Sequence, residues 1–306
     1  MATYLDRILE AHRAEVARDE RPFDELFEAA RAASPTRGFT DALAKVDPAR
    51  DGIAVISEIK RRSPSKGDLF AGLDPAVLVR QYSDGGASCV SVLTDEEFFG
   101  GSADDLRAAR EACALPVLRK DFTVSQRDVL DARIMGADCL LLIAAALDRN
   151  ELEEFHALAV EVGLDVLVEV HDEAELAIAL DVGATLIGVN QRDLVTFAVD
   201  HERARRMGGA MPDDVIAVAE SGVRHRGDAE ALTTAGYRAV LVGETLVTSG
   251  DLVSETLPHL RDAKRWSLSA CLQHACEVGE HSLSRLRAKV GIGSCVSNRP
   301  RLRLEH

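Results

Sequence analysis

The stretch ADCLLLIAAALDRNELEEFHALAVEVGLDVLVEV, residues 137–170, contains one complete unit of the fold. Asp138–Ile143 is a short run, apolar on both faces from Cys139 onward, as in a strand buried between two layers. Arg149–Val162 is amphipathic at helical spacing, and Asp165–Val170 is a second strand-like run. A strand, a helix and a strand in this order predict a βαβ unit with parallel strands.

The same rhythm extends in both directions. Strand-like runs occupy Ala54–Ile59, Ser88–Leu93, Pro116–Arg119, Asp138–Ile143, Asp165–Val170, Thr185–Val189, Val215–Ala219 and Ala239–Val242. Between them lie the helical segments Pro75–Ser83, Asp104–Ala112, Gln126–Met135, Arg149–Val162, Glu173–Val182, Glu202–Met207 and Gly227–Ala235. Several end in a glycine-containing turn such as Gly136-Ala137, suited to a left-handed helix end. Eight such units predict an α/β fold of the closed (β/α)8 TIM-barrel type, which takes about 250 residues. An open doubly wound sheet is the alternative. It would want a GxGxxG after the first strand, where this chain has Ser63-Pro64-Ser65. Residues 1–48 form a helical preface, with Leu5, Ile8, Leu9 and Val16 at helical spacing and Pro22 and Ser34-Pro35 as breaks. The expected domain is therefore residues 1–262, a barrel with an N-terminal helical extension.

Composition narrows the function. The net charge of −15 argues against a nucleic-acid partner or an anionic membrane surface. No apolar run is long enough to span a bilayer, and Met1–Glu20 lacks the apolar core of a signal peptide. Six cysteines are scattered without a CxxC pair, and Cys89, Cys113 and Cys139 fall in apolar patterns as small core residues. A reduced, cytoplasmic setting follows. Residues 263–306 break the rhythm with eight Lys or Arg against three Glu, leaving the remainder more acidic still. They are expected to be an atypical tail, disordered or added in cloning, since the ending Leu304-Glu305-His306 matches a cloning scar. Cys271, His274, Cys276 and His281 lie close together there, but CxxHxCxxxxH matches no standard zinc spacing.

A barrel of this kind carries its active site at the C-terminal ends of its strands. Those ends read Glu58-Ile59-Lys60, Arg119-Lys120-Asp121, Glu169-Val170-His171, Asn190-Gln191-Arg192-Asp193, Glu220-Ser221-Gly222 and Gly243-Glu244. Residues two apart share a strand face, so Glu58 and Lys60 point together and Ile59 away. A single charged residue at a strand end usually just opens a solvated loop. Six of eight ends carrying ionisable or amide groups instead suggest a general acid–base pocket for an anionic substrate. Ser221, Gly222 and Gly243, on the last two strands, sit where barrels often bind phosphate. The loop Ser63–Gly67 is either a lid or a plain exposed turn.

At these residues the chain resembles the indole-3-glycerol phosphate synthases. The matching pieces are SEIKRRSPSKG at 57–67, SVLT at 91–94 with FFGGS at 98–102, PVLRKDF at 116–122, LVEVH at 167–171, GVNQRDL at 188–194, AESG at 219–222 and VGE at 242–244. They occur in the family's order over about residues 3–260. The resemblance implies a carbon–carbon lyase of tryptophan biosynthesis acting on a phosphorylated small molecule, 1-(2-carboxyphenylamino)-1-deoxyribulose 5-phosphate. It implies no metal or organic cofactor, and a monomer or weak homo-oligomer is expected.

By the same resemblance Lys120 is the general acid, its proton affinity expected to be brought toward neutrality by burial and a neighbouring cation. Lys60 would pair with substrate anions or act in the dehydration. Glu169 would be the base or stabilise positive charge, with Glu58 the second carboxylate. Asn190 and Arg192 would hold hydroxyl and carboxylate groups, and Glu220 would orient Lys60 or Lys120. Ser63 and Ser221 would contact substrate, and Phe99 would pack on the anthranilate ring. Gly222, Gly243 and Glu244 would receive the phosphate, although the family often has Ser or Thr where Glu244 stands. Other phosphate-binding barrels are the alternatives, such as a phosphoribosylanthranilate isomerase, a tryptophan synthase α-subunit or a non-catalytic binding barrel. The isomerase would want a strand-end Cys, which is lacking, and the intact set of Glu58, Lys60, Lys120 and Glu169 speaks against a non-catalytic barrel.

Overall fold

The structure, a computed structural model, describes residues 3–263 except Ser65, Ala71 and residues 194–195. The expected tail with its Cys/His cluster, and Ser65 and Leu194 of the matched motifs, lie outside the described residues.

Eight parallel strands close into one barrel. They are β1 (Ala54–Ile59), β2 (Cys89–Leu93), β3 (Val117–Lys120), β4 (Cys139–Ile143), β5 (Asp165–Val170), β6 (Leu186–Asn190), β7 (Ile216–Glu220) and β8 (Ala239–Val242). Each pairs with its chain neighbours, and β1 closes the ring against β8, Ala54 opposite Ala239. The (β/α)8 expectation holds and the open sheet is excluded. Residues 62–63 and 67–68 add a small antiparallel ladder at the top of the first loop.

Alternation sorts the side chains of each strand. One set faces the interior: Ala54 and Ile56, Leu118, Cys139 and Leu141, Leu167, Leu186, Ile216 and Val218, Ala239 and Leu241. The other set, including Val55, Val117, Leu140, Val168, Ile187, Ala217 and Val240, packs on the outer helices. Cys89 and Cys139 are fully buried as expected, whereas Cys113 is only half-buried because it follows a helix and not a strand.

The outer helices begin on side-chain caps. Asp74, Ser102, Ser125, Asp148, Asp172 and Asp200 each accept from first-turn amides, worth about 1 kcal/mol apiece. Gly136 ends its helix at φ +97°, a conformation a Cβ would strain.

The preface forms three helices: α1 (Tyr4–Val16), α2 (Phe23–Ala32) and α3 (Phe39–Ala44). They do not share one face of the barrel. Phe39 and Leu43 of α3 are fully buried among the interior side chains at the strand starts. Tyr4, Leu5 and Ile8 of α1 line the cavity at the opposite end. At the C-terminal limit Ala263, expected to begin the tail, is buried, and its carbonyl accepts from Thr233 Oγ1 at 3.3 Å. The packed unit therefore runs at least through Ala263.

Candidate active site

The interior register continues past the apolar layers. Two residues beyond Ile56 comes Glu58, beyond Leu118 Lys120, beyond Leu167 Glu169 and beyond Val218 Glu220. The barrel geometry thus converts four separate strand ends into one charged ring. Lys120 Nζ lies 2.8 Å from Glu169 Oε2 and 3.4 Å from Glu220 Oε2. Lys60 forms a hydrogen-bonded ion pair with Glu58, and Ile59 points away into the outer core. Asn190 Nδ2 donates to Glu169 Oε1 at 3.0 Å, and Asn190 Oδ1 accepts from Ser221 Oγ and from the Arg192 amide, both at 3.0 Å. Of the two lysines offered to Glu220 by the sequence, Lys120 is the one it faces.

Burial and charge set the ionisation of this ring. Burial disfavours the Lys120 ammonium, but Glu169, Glu220 and Glu58 outweigh it and hold the group well above the usual lysine value. This corrects the expectation of a lysine near neutrality, because its surroundings are three carboxylates and not a cation. Burial likewise opposes the Glu169 carboxylate, yet Lys120 and then His171 bring it down to about 2. Glu220 goes the other way. Burial pushes it up to about 8, Lys120 offsetting only part of the effect and Glu169 adding to it. Two carboxylates flanking one lysine are thereby driven apart, the pattern that separates acid from base roles.

The ring floors a cavity of about 380 Å³. All thirteen candidate residues line it: Glu58, Lys60, Ser63, Phe99, Lys120, Glu169, Asn190, Arg192, Glu220, Ser221, Gly222, Gly243 and Glu244. One wall is apolar, with Phe99 and Phe122 6.2 Å apart between ring centroids and Leu141 and Ile143 below. Ser63 Oγ is buried there without a hydrogen bond. Ser221 and Gly222 turn at φ +65° and +74°. Glu244 opens a four-residue helix, its carboxylate 3.6 Å from Lys66 Nζ and 3.9 Å from Arg192.

Comparison with known proteins agrees with this geometry. Residues 5–257 match the family model of indole-3-glycerol phosphate synthase. The chain belongs to this family. The indole-3-glycerol phosphate synthase of Chlorobium luteolum is 46% identical over 258 residues, 84% of this chain and 97% of the relative. That of Mycolicibacterium smegmatis is 50% identical over 252 residues, 82% and 91% of the two chains. Among solved structures, thiamine phosphate pyrophosphorylase from Pyrococcus furiosus aligns with a TM-score of 0.51 at 17% identity, covering 69% of this chain and 94% of that one. N-acetylmannosamine-6-phosphate 2-epimerase from Clostridium perfringens also aligns at 0.51, with 11% identity and 67% and 92% coverage. These two share the fold alone.

Several residues outside the thirteen also shape the site. Gly188 lies two residues before Asn190 on the same face. A Cβ there would come within 2.1 Å of Glu220 Oε1. A glycine inside a strand signals such a close approach, and that cue was legible. Gly243 has a comparable constraint: its Cβ would lie 2.2 Å from Glu58 Oε1. Its glycine identity thus clears space for the ring, whatever its backbone does for phosphate. Asp95 caps the loop that carries Phe99, its Oδ1 accepting from the Phe98 and Phe99 amides at 2.6 and 3.0 Å. His12 of α1 reaches Asp95 Oδ2 at 2.9 Å. His12, Asp95 and Asp121 lie close enough to hold a cation, but Arg119 already supplies positive charge to Asp121 at 2.9 Å. The α1 and Phe122 contributions depend on tertiary packing that strand periodicity does not encode.

Proposed function

We propose that the charged ring carries out ring closure of 1-(2-carboxyphenylamino)-1-deoxyribulose 5-phosphate, with loss of carbon dioxide and water, to give indole-3-glycerol phosphate. This is the lyase step of tryptophan biosynthesis implied by the family to which the chain belongs. The observation that carries the assignment of roles is Lys120 held between Glu169 and Glu220 beside an apolar wall.

Ring closure requires the substrate carbonyl to accept a proton as the aromatic carbon attacks it. Lys120, kept as ammonium by its carboxylates, is the donor at that oxygen. Glu169, fixed by Asn190, stabilises positive charge on the closing ring and takes the proton lost from the substrate methylene. Lys60, paired with Glu58, serves the departure of the hydroxyl as water. Phe99 and Phe122 flank the anthranilate ring. Ser221, Gly222 and Gly243 approach the phosphate through their backbone, and Lys66 and Arg192 turn to it from Glu244, so that Glu244 yields its cations and does not itself bind the anion. Arg192 and Ser63 also face substrate oxygens.

No helix among the described residues is long and apolar enough to cross a membrane. Cys89, Cys113 and Cys139 are free thiols, in keeping with a cytoplasmic enzyme acting on a small molecule as a monomer or weakly associated homo-oligomer.

The test is indole fluorescence developing from the carboxyphenylamino substrate. Wild type is expected to turn over, while Lys120→Ala loses about a thousandfold or more in kcat with substrate binding within about tenfold. Near-normal turnover in that variant would sink the role of Lys120.

A further inference from the structure

We propose that His171 is a positioning residue that acts as a charged clamp on Glu169, keeping it ionised while Lys120 gives up its proton. The inference rests on the function proposed above.

Strand β5 continues its interior register from Glu169 to His171, but His171 lies behind Glu169 and does not line the cavity. Its Nε2 is buried, carries no hydrogen bond and faces Glu169 Oε1 at 3.5 Å. Its Nδ1 lies 3.1 Å from Glu175 Oε2, an oxygen that also accepts the His171 backbone amide at 2.7 Å. Glu175 sits in the first turn of the helix Glu173–Asp181. Lys120 thus holds one oxygen of Glu169, while the other accepts from Asn190 and has the His171 ring nitrogen beyond it.

The chemistry explains why a second nitrogen matters. With its carboxylate ionised, each substrate molecule consumes one proton overall. Two are delivered, to the carbonyl oxygen and then to the departing hydroxyl, and one is lost from the methylene carbon. When Lys120 donates, it becomes a neutral amine 2.8 Å from Glu169. Glu169 then loses its main counter-charge and competes with the substrate oxygen for that proton. An imidazolium on its other oxygen keeps its proton affinity low, so the proton goes to substrate.

The groups facing His171 favour that charged form. They are Glu169 on its own strand, Glu175 on the following helix and Glu220 on β7, with Lys120 paired to the far oxygen of Glu169. Burial alone disfavours the imidazolium, but the hydrogen bond to Glu175 and the charges of Glu169 and Glu175, with a smaller part from Glu220, outweigh it and hold His171 above the ordinary histidine value.

The test combines pH profiles of kcat with a histidine titration. In wild type kcat should carry a basic limb as His171 loses its proton. In Glu175→Gln, which keeps an acceptor for the backbone amide but removes a charge, that limb should move to lower pH. In His171→Gln it should vanish, with kcat down about tenfold or more at neutral pH and KM little changed. A merely structural His171 would lower kcat equally at every pH and leave the Glu175→Gln profile in place; either that result or wild-type kcat in His171→Gln overturns the clamp. The imidazole resonances of His171 give a readout that needs no turnover. They should titrate above free histidine in wild type and lower in both Glu175→Gln and Glu169→Gln. Titration at or below free histidine in wild type overturns the clamp on its own. Absence of indole product from wild type would instead overturn the proposed function.

Discussion

The two ends of the barrel use the same residue types for opposite purposes. At the strand starts Asp138 and Asp165 are carboxylates tied to backbone amides. Asp138 accepts from the amides of Arg37 and Val117, both at 2.8 Å, and pairs with Arg110. Asp165 accepts from the Thr40 amide at 2.9 Å. Phe39 and Leu43 of α3 are fully buried in the apolar layer at that end. At the strand ends Glu58, Glu169 and Glu220 pair with lysines at the floor of a cavity, and Glu220 Oε1 and Ser63 Oγ are buried without a hydrogen bond. Saturated polar groups stabilise a fold, and polar groups left with unmet capacity are positioned for a ligand. One preface supplies both closures, α3 below and α1 above, so the contrast comes from the side chains and not from the connectivity.

The largest effect that can break this contrast is expected at the lower end. Phe39→Ala removes a fully buried ring and should cost about 3–5 kcal/mol of stability, read from the denaturant midpoint. The kcat of the folded fraction should not change. A matching loss of kcat in fully folded protein would show that the plug is coupled to the chemistry and that the two ends are not independent.

Gly188→Ala probes the upper end with one methyl group. The added Cβ cannot coexist with Glu220 Oε1 at 2.1 Å, so Glu220 must leave its place beside Lys120. The expected result is a kcat about ten- to a hundredfold lower, with KM and thermal stability little altered. If kcat is retained, the position of Glu220 is not what tunes Lys120, and the ring reduces to Lys120 and Glu169.

The register of this ring was largely legible in the sequence, and its charge state was not. Alternation along a strand is local, so Glu58 and Lys60 could be placed on one face from their spacing. The strand limits were less exact at the points that matter. By their apolar runs three strands end at Arg119, Val189 and Ala219, whereas the ladder runs one residue further to Lys120, Asn190 and Glu220. A polar residue after an apolar run looks like the start of a loop. In a barrel whose upper layer is ionic, it is the last residue of the strand. The ionisation of Lys120 depends on carboxylates from β1, β5 and β7, which only closure of the barrel brings together. The same holds for Gly243, whose close approach to Glu58 only closure of the barrel creates.

The smallest effect discriminates the two ends by pH. Glu220 has its proton affinity raised from 4.5 to about 8, chiefly by burial. Between those values the folded protein retains a proton that the unfolded chain has released. The stability this gives is fully present below about pH 4.5 and is lost as pH rises through about 8. Glu220→Gln replaces the group with a neutral isostere and removes the dependence. Its melting temperature should lie close to that of wild type at acid pH and exceed it by a few degrees above pH 8, while kcat falls throughout. Glu169, drawn from 4.5 down to about 2, contributes in the opposite sense, its stability lost as pH falls from about 4.5 through about 2, so it leaves the window above 4.5 clear. The deficit of Phe39→Ala should be the same on both sides of pH 8, because nothing it removes titrates. A melting-temperature gap for Glu220→Gln that does not widen with pH would mean that Glu220 is already ionised near neutrality. The upper end would then store no electrostatic cost, and stability could not tell it from the lower one.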